Sequence, residues 1–438
     1  MFQTFKNAWR IPELRKKILF TFLIIVLYRI GSNIPVPYVN GEAINGWFTS
    51  TAGSSILTYF NILSGSALSY GTLFALSVSP YITASIVVQL LCVAIPALER
   101  WSKDEAGRKK VNVLTRIITV VLAIVTALGY ALLLRNNSSA DNMLLVNGAK
   151  TTAWQIIVMV ACYCAGAAIV MWLGEKVNEH GIGNGISIIL FAGIVSRGPA
   201  LIGGLWSMIT SDKYHIAVGI LLGVLSVAIT LALIVLIVWV TNSERRIPIQ
   251  YAKRTVGRKM YGGQSSNLPL KLNMAGVMPI IFANSIVAIP ATIASLMSKE
   301  NWFTRFVDNW FDTDTWIYIV INVILIIAFS YFYIMISFNP VEVANNIKDN
   351  GGAVPGIRPG KPTSDYIQKV LNRVTLIGAA FLTIVAALPL IINAVSGGQF
   401  AGIAFGGTSI LIVVGVALET VRELESQITM RNYKGFLD

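Results

Sequence analysis

The chain contains few residues of the kinds that catalyse reactions or bind metal ions. Its two histidines, His180 and His215, leave little material for a zinc site or a Ser-His-Asp triad. Its three cysteines, Cys92, Cys162 and Cys164, lie within apolar runs and lack the spacing of a metal cluster or a disulfide framework. The sequence therefore predicts no catalytic centre, no metal ion and no cofactor.

A glycine-rich stretch at residues 181–185 is only a weak signal for phosphate binding. It reads Gly-Ile-Gly-Asn-Gly, lacks the lysine and the serine or threonine of a P-loop, and opens an apolar run instead of following a strand. Because no energy-coupling site is visible, any directed work must be driven by a partner.

The composition places the chain in a membrane. Of its 438 residues only 13% are charged and 55% are hydrophobic, and the mean hydropathy is +0.68. Soluble domains are about 25% charged, so this chain has too few polar side chains to cover a surface that faces water. The composition therefore excludes a soluble enzyme, a coiled coil and a disordered chain.

Ten apolar runs are long enough to cross a bilayer, which requires about 20 residues in a helix. The first follows a charged segment without a cleavage pattern, so we expect it to be retained. The predicted fold is an all-α polytopic membrane protein with spans at 18–37, 74–95, 113–134, 153–173, 184–205, 216–240, 274–296, 316–337, 374–394 and 402–419.

Basic residues are concentrated in alternate connecting segments. Six such segments hold 27 of the 34 basic residues but only 14 of the 21 acidic ones. Since lysine and arginine in short loops stay in the cytoplasm, this pattern predicts that both termini are cytoplasmic and that the number of spans is even. The segments are 1–17, 96–116, 174–183, 241–273, 338–373 and 419–438.

Ten spans divide into an N-terminal half, residues 18–205, and a C-terminal half, residues 216–419, with a cytoplasmic segment at 1–17 and a tail at 420–438. Each half has an odd number of spans, so two halves of the same fold would run through the bilayer in opposite directions. We therefore expect an inverted repeat with the functional site at the interface of the halves.

The centres of the predicted spans carry no aspartate, glutamate, lysine, arginine or histidine. Ion and proton transporters usually keep ionisable groups at this depth, so a coupled proton pathway is disfavoured. The polar groups that remain, Gln89, Asn284 and Asn322, are of the kind that makes hydrogen bonds between helices.

Residues 54–71 are only moderately apolar and run directly into the second span. Two interpretations fit this composition equally. The segment could re-enter the membrane as a movable stopper in a water-filled pathway, or it could be an amphipathic helix on the external surface.

Two cytoplasmic segments are unusually long. Residues 241–273 carry one acid and seven bases, with two tyrosines between them, and could bind a phosphate backbone or an acidic protein surface. Membrane topology and anionic lipid explain the same charge, and without further observations this explanation is favoured. Residues 355–360 in the other segment read Pro-Gly-Ile-Arg-Pro-Gly, which predicts a stiff turn that displays Arg358.

Seven separated motifs resemble the SecY family of bacterial protein-conducting channel subunits, and the likeness runs from about residue 6 to 430. The motifs lie at residues 74–86, 172–188, 251–254, 268–277, 338–340, 355–360 and 405–409. The resemblance implies two halves of five spans, hinged between spans five and six, around a central hourglass pore in the bacterial plasma membrane. Secretory polypeptides would pass through this pore, and apolar signal sequences would leave it sideways into lipid.

The same resemblance implies roles for particular residues. A pore ring of aliphatic side chains would close the waist, a plug at about residues 60–71 would fill the external funnel, and polar latches would hold a lateral gate between spans two and three and spans seven and eight. The pore ring matches Val78, Ile82, Leu190, Ile281, Ile410 and Ile412; the plug is centred on Ser64, Gly65, Ser66, Ala67 and Leu68; the latches match Thr83, Gln89 and Asn284.

The partners that the resemblance implies are the small membrane subunits SecE and SecG, the SecA motor ATPase, and the ribosome. Docking of the motor and the ribosome would use Arg245, Arg246, Lys253, Arg254, Arg258, Lys259 and Arg358. A secondary transporter for a small neutral solute, or a membrane scaffold without conduction, would also fit a bundle of two five-span halves.

Overall fold

The computed structural model describes the chain as a bundle of helices with a small sheet at one end. The described residues are 2–51, 56–138, 143–146, 152–199, 203, 216–251, 254–256, 259–261, 265–296, 301–310, 315–395 and 406–434. Each of the ten predicted spans contains a helix.

The N-terminal half begins with a short helix and then alternates long helices with shorter connecting ones. Its described helices are α1 (Phe2–Arg10), α2 (Pro12–Gly31), α3 (Gly41–Thr51), α4 (Ile56–Leu63), α5 (Ser79–Ala94), α6 (Pro96–Lys103), α7 (Glu105–Asn137), α8 (Ala153–His180) and α9 (Gly185–Val195).

The C-terminal half contains the longest helix of the bundle and all the strands. Its described elements are α10 (Ile216–Asn242), β1 (Glu244–Tyr251), β2 (Arg254–Val256), β3 (Lys259–Tyr261), β4 (Ser265–Lys271), α11 (Met278–Leu296), α12 (Trp302–Trp310), α13 (Trp316–Ser337), α14 (Pro340–Asp349), β5 (Gly352–Ala353), α15 (Lys361–Val395) and α16 (Gly406–Lys434).

Length and composition alone identify fewer spans than the sequence predicts. Within the described residues, α7, α8, α13, α15 and the Gly223–Asn242 part of α10 are each long and apolar enough to cross a membrane. The pair α5 and α6, bent by 113° at the break before Pro96, is a sixth candidate. The remaining spans fall short because α9 and the apolar part of α11 are short, and because α2 and α16 include several charged residues.

Apolar side chains cover the outside of the bundle. Phe22 on α2, Leu221 on α10 and Trp239 on α10 are 62%, 67% and 70% exposed. In water such a surface would be unfavourable by about 25 cal/mol for each Å² of apolar area, whereas lipid accommodates it. The described helices thus form a polytopic membrane bundle, as the sequence predicts.

One apolar cluster joins the two halves at the centre of the bundle. It takes buried residues from α2, α5, α8 and α9 in the first half and from α10, α11, α13, α15 and α16 in the second. The halves therefore pack against each other over a continuous apolar surface.

Both ends of the described chain lie at the same end of the bundle. The hydroxyl of Thr4 donates to the carboxylate of Glu425 over 3.1 Å, and the ammonium of Lys17 donates to the side-chain oxygen of Gln427 over 3.3 Å. Ile182, in the turn between α8 and α9, belongs to the apolar cluster that forms between these ends.

The described parts of the two long segments, residues 241–273 and 338–373, form a folded unit, the basic sheet unit. β1 pairs antiparallel with β4 and with β5, so the strand order is β4-β1-β5, and β2 and β3 form a separate hairpin. Side chains from the sheet, α14 and α15 form the core of this unit, which includes Ile247, Ile249, Leu270, Ile347 and Ile367.

Candidate conduction pathway

Five of the six predicted pore-ring residues lie on four helices and Val78 directly precedes α5; all six belong to the central apolar cluster or pack against it. Val78, Ile82, Leu190, Ile281 and Ile412 are between 0% and 8% exposed, and Ile410 is half-buried against the same cluster. Val78 and Ile82 stand one helical turn apart, because Ile82 N–H donates to the Val78 carbonyl as α5 begins. Each half of the chain thus supplies part of the predicted ring.

Ile410 and Ile412 cannot both point at one axis. Residues two apart on an α-helix lie about 200° apart around it, and α16 carries both. Ile412 is fully buried and Ile410 is half-buried. Burial of both follows from the position of α16, which contacts α9 on one side and α10 and α15 on others.

The glycine-rich stretch at residues 181–185 forms the turn between α8 and α9 and ends on the first residue of α9, the helix that carries Leu190. The Asn184 side chain accepts hydrogen bonds from the backbone N–H groups of Ile186 and Ser187, an N-cap that typically contributes about 1 kcal/mol. Gly183 has a φ of +73°, which favours glycine. The stretch therefore has a structural role in place of a phosphate-binding one.

The predicted plug segment, residues 60–71, begins with the last turn of α4 and continues as a compact series of turns over residues 64–71. Ser64, Ala67 and Leu68 are at most 4% exposed. The buried Asn61 side chain accepts from Ser69 N–H over 3.0 Å, and the Ser64 hydroxyl accepts from Leu68 N–H over 3.2 Å. This burial disagrees with the interpretation of the segment as a helix on the external surface.

Three buried tyrosines, which the sequence analysis missed, hold the plug segment through its backbone carbonyls. Tyr130 donates to the Leu68 carbonyl over 2.6 Å, Tyr28 donates to that of Ser64 over 3.4 Å, and Tyr163 donates to that of Gly71 over 3.4 Å. No motif signals these contacts, because the partners are up to 92 residues apart in the chain.

Two glycines let the plug segment approach α9 closely. Gly65 has a φ of +67°, and a Cβ there would lie 2.7 Å from the Gly193 carbonyl oxygen. A Cβ at Gly193 would in turn lie 2.5 Å from the carbonyl oxygen of Leu63. Real Cβ atoms essentially never lie this close to another atom. The packing of the plug segment on α9 therefore requires glycine at both positions.

The predicted latches Thr83, Gln89 and Asn284 do not hydrogen-bond to one another in the described residues. Thr83 donates to the Ser79 carbonyl and Gln89 donates to the Ser85 hydroxyl, so both are satisfied within α5. Asn284 on α11 accepts from Asn322 on α13 over 2.9 Å. These three side chains thus have other partners in the described residues, although α11 packs against both α5 and α7 at this seam, and their role as latches stays a prediction.

Five of the seven predicted docking residues lie on the strands and turn of the basic sheet unit. Arg245, Arg246 and Arg358 are exposed, and Arg246 pairs with Glu244 over 2.6 Å. Arg358 lies between Gly356 and Gly360, both with positive φ, in a turn attached through the buried Val354. Of the other predicted docking residues, Arg254 is on β2 and Lys259 is on β3. Lys253 and Arg258 lie outside the described residues.

One lysine of this unit, Lys271, has a lowered pKa. Lys271 ends β4 opposite Glu244 of β1. Partial burial, followed by the charge of Arg422, lowers the pKa of the Lys271 ammonium from its ordinary value.

The cysteines and histidines form no reactive cluster in the part of the chain that the structure describes. Cys92, Cys162 and Cys164 are free thiols, and the His180 ring packs against Phe20 with 5.8 Å between centroids. His215 lies outside the described residues. Within that described part, no three histidine, cysteine, aspartate or glutamate side chains are grouped as metal ligands.

This chain is similar over its full length to proteins whose family is known. The SecY family model matches residues 72–421. The protein translocase subunit SecY of Streptomyces scabiei is 43% identical over 446 residues, and that of Mycobacterium tuberculosis strain H37Rv is 42% identical over 449 residues. Each comparison covers 100% of this chain and 100% of the relative.

Solved structures share the fold at lower identity. A structure of a protein-conducting channel matches with a TM-score of 0.63 and 19% identity over 96% of each chain. A structure concerned with the plug domain of SecY, which stabilises the closed state of that channel, matches with a TM-score of 0.62 and 19% identity. At these identities the structures show the fold alone. Together with the full-length relatives, they show that this chain belongs to the SecY family of protein translocase subunits.

Proposed function

We infer that this chain is the central channel subunit of a protein translocase. It passes unfolded secretory polypeptides across the membrane and releases apolar segments sideways into lipid. The observation that carries this conclusion is the 43% identity, over all of both chains, to curated protein translocase subunits. The described chemistry supports this, because the predicted pore-ring side chains are all aliphatic and five of the six are buried in the central apolar cluster.

The pore ring explains how one passage accepts many sequences. Aliphatic side chains offer a moving polypeptide no fixed hydrogen-bond partner, and a narrow apolar waist loses its water and resists ions. We propose that Val78, Ile82, Leu190, Ile281 and Ile412, with Ile410 close by, form this waist. Their common burial in one cluster supports the assignment.

The plug segment would close the resting channel on one side of that waist. Its hydrogen bonds to Tyr28, Tyr130 and Tyr163 are each of a kind that contributes about 1 kcal/mol. Because each of these bonds is weak and several residues of the segment are small, the plug segment can leave this position and return to it. Ser64, Gly65, Ser66, Ala67 and Leu68 are its centre.

The lateral gate would open where α11 separates from α5 and α7. Thr83 and Gln89 lie on α5 and Asn284 lies on α11, so all three belong to helices that meet at this seam. The bond between Asn284 and Asn322 fastens α11 to α13. We therefore propose that α11 and α13 move together, and that Thr83 and Gln89 become available as polar contacts when the seam opens.

The chain would lie in the bacterial plasma membrane with both termini in the cytoplasm. The contacts of Thr4 with Glu425 and of Lys17 with Gln427 support a common side for the two ends. The basic sheet unit, which begins directly after α10, belongs to the same predicted side. The domain boundaries proposed from the sequence follow this topology.

The implied partners are SecE and SecG in the membrane and SecA and the ribosome at the cytoplasmic face. A solved relative, Sec61 in a canine ribosome–channel complex, has a TM-score of 0.60 to this chain. Exposed arginines suit both the phosphates of ribosomal RNA and the acidic groups of a motor protein. We propose that Arg245, Arg246, Arg358 and the basic residues at 253, 254, 258 and 259 serve these contacts.

Reversing the charge of Arg358 is expected to reduce motor-driven export severalfold and to affect insertion coupled to translation less. The glycines and prolines around Arg358 restrict its position, which suits a specific contact. Export of a precursor and insertion of a membrane protein would be measured in the same cells with Arg358→Glu. Lys348→Glu, the same charge change on exposed α14, is the control. Equal defects in both assays would contradict the distinction.

Transport by purified components tests the function itself. Proteoliposomes that contain this chain with its membrane subunits, the motor and ATP should protect a secretory precursor from external protease. Vesicles without this chain should not. If the vesicles instead accumulated a small neutral solute and left the precursor accessible, the chain would be a secondary transporter.

A further inference from the structure

The short helix α12 connects the spans α11 and α13 and packs on the protein by one face only. Val307 and Thr304 on that face are 4% and 7% exposed, and the helix contacts α11. Because it joins two spans at the ends where they leave the bilayer, α12 lies close to the boundary between lipid and water.

A second face of α12 is a continuous aromatic stripe. Trp302, Phe306 and Trp310 follow one another at intervals of four residues, and their ring centroids are 5.9 and 5.5 Å apart in stacked pairs. These side chains are 78%, 37% and 46% exposed. Trp316, at the start of α13, extends the exposed aromatic surface and is 58% exposed.

A third face of α12 is polar and also exposed. At 100° per residue the aromatic stripe covers an arc of about 80°, and Arg305 and Asn309 lie on the flank next to it. The buried face is on the opposite flank of the stripe from these two residues. Around the helix, the buried face is therefore followed by the aromatic stripe and then by the polar face.

This order of faces fits a lipid surface better than water or a second protein. Tryptophan prefers the headgroup level of a bilayer, where its ring is in an apolar layer and its N–H meets water or headgroups. An interfacial helix buries its apolar face about 5–10 Å into that layer and keeps its cations beside the phosphates. Arg305 is placed for the second role.

We propose that α12 is an interfacial anchor whose aromatic stripe inserts into the headgroup region of the leaflet where α11 ends. It would hold the end of α11, so that α11 moves at the seam only with displacement of lipid. The proposal depends on the spanning fold of α11 and α13 and not on the channel function.

Spin labels on two neighbouring faces of α12 test this proposal. Phe306→Cys and Asn309→Cys would be made in a chain with Cys92, Cys162 and Cys164 replaced by alanine, and the complete complex would be placed in lipid nanodiscs. Oxygen partitions into lipid and a nickel chelate stays in water. The ratio of oxygen to nickel accessibility should be severalfold higher at position 306 than at 309.

Equal ratios at the two positions would overturn the proposal, because the aromatic stripe would then face water. Low accessibility of position 306 to both agents would also overturn it, because a protein would cover the stripe. Tryptophan quenching checks the result without a label. Lipids brominated near the headgroup should quench the parent protein more than Trp302→Phe, and an equal loss of fluorescence would contradict the anchor.

Discussion

Polar substitution in the pore ring is expected to make the resting channel leak ions. Ile82→Asn or Ile281→Asn would place an amide in the proposed waist, whose six assigned side chains are all aliphatic. Water would then remain in the constriction, and the barrier to ions would fall. We expect the conductance of the resting complex in planar bilayers to rise at least about tenfold, equivalent to about 1.4 kcal/mol of barrier.

The matched control introduces the same amide away from the passage. Val235 on α10 is 67% exposed and lies on the surface that faces lipid, so Val235→Asn should leave the conductance unchanged. A leak of the same size in Val235→Asn would indicate general loosening of the bundle. Unchanged conductance in both ring variants would remove these residues from the seal.

A larger side chain at Gly193 is expected to unseat the plug segment. In Gly193→Val the new atoms would meet the backbone oxygen of Leu63, where even a Cβ would be only 2.5 Å away. Overpacking of this kind costs about 1–3 kcal/mol, which would raise the unseated population about 5- to 150-fold. A cysteine in place of Ser66 should react faster with a membrane-impermeant thiol reagent by a similar factor.

The control uses the same substitution on the same side of the bundle. A Cβ at Gly198 would meet no atom within 4 Å, so Gly198→Val should leave the labelling rate at Ser66→Cys unchanged. If Gly193→Val did not accelerate labelling, while the protein assembled normally, the close packing of α9 and the plug segment would not hold the plug.

The helices of the bundle were predictable because hydrophobicity is a local property of the sequence. A membrane span is recognised in sequence as a run of about 20 apolar residues. The structure has a helix within each predicted run. The pore-ring residues were a different matter. Their positions came from resemblance to a family, since nothing in the spacing of Val78 and Leu190 shows that they approach each other.

The sheet was missed although its signal is present. Residues 246–250 alternate in exposure, with Ile247 and Ile249 buried and Pro248 exposed, which is the period of a strand. This strand lies within residues 241–273, which carry seven basic residues. The segment was therefore interpreted by its charge and not by its alternation. Its pairing with β5, more than 100 residues later, could not be read from local sequence.

The plug contacts and the gate pairing depend on tertiary structure. Tyr130 meets Leu68 across 62 residues and Asn322 meets Asn284 across 38 residues. A polar side chain in a span has several possible partners, including the carbonyl one turn earlier, which Thr83 uses. Sequence reasoning named Asn284 and Asn322 as groups that bond between helices, but it could not choose their partners and it missed the tyrosines.

Crosslinking from the waist to a translocating chain tests the central claim most directly. A secretory precursor would be arrested within the assembled complex, with cysteines at Ile82 or Ile281 and a cysteine in the arrested segment. We expect disulfide formation at both positions and none from Val235→Cys on the lipid-facing surface. Failure of both waist positions in a complex that holds the arrested precursor would contradict passage through the ring.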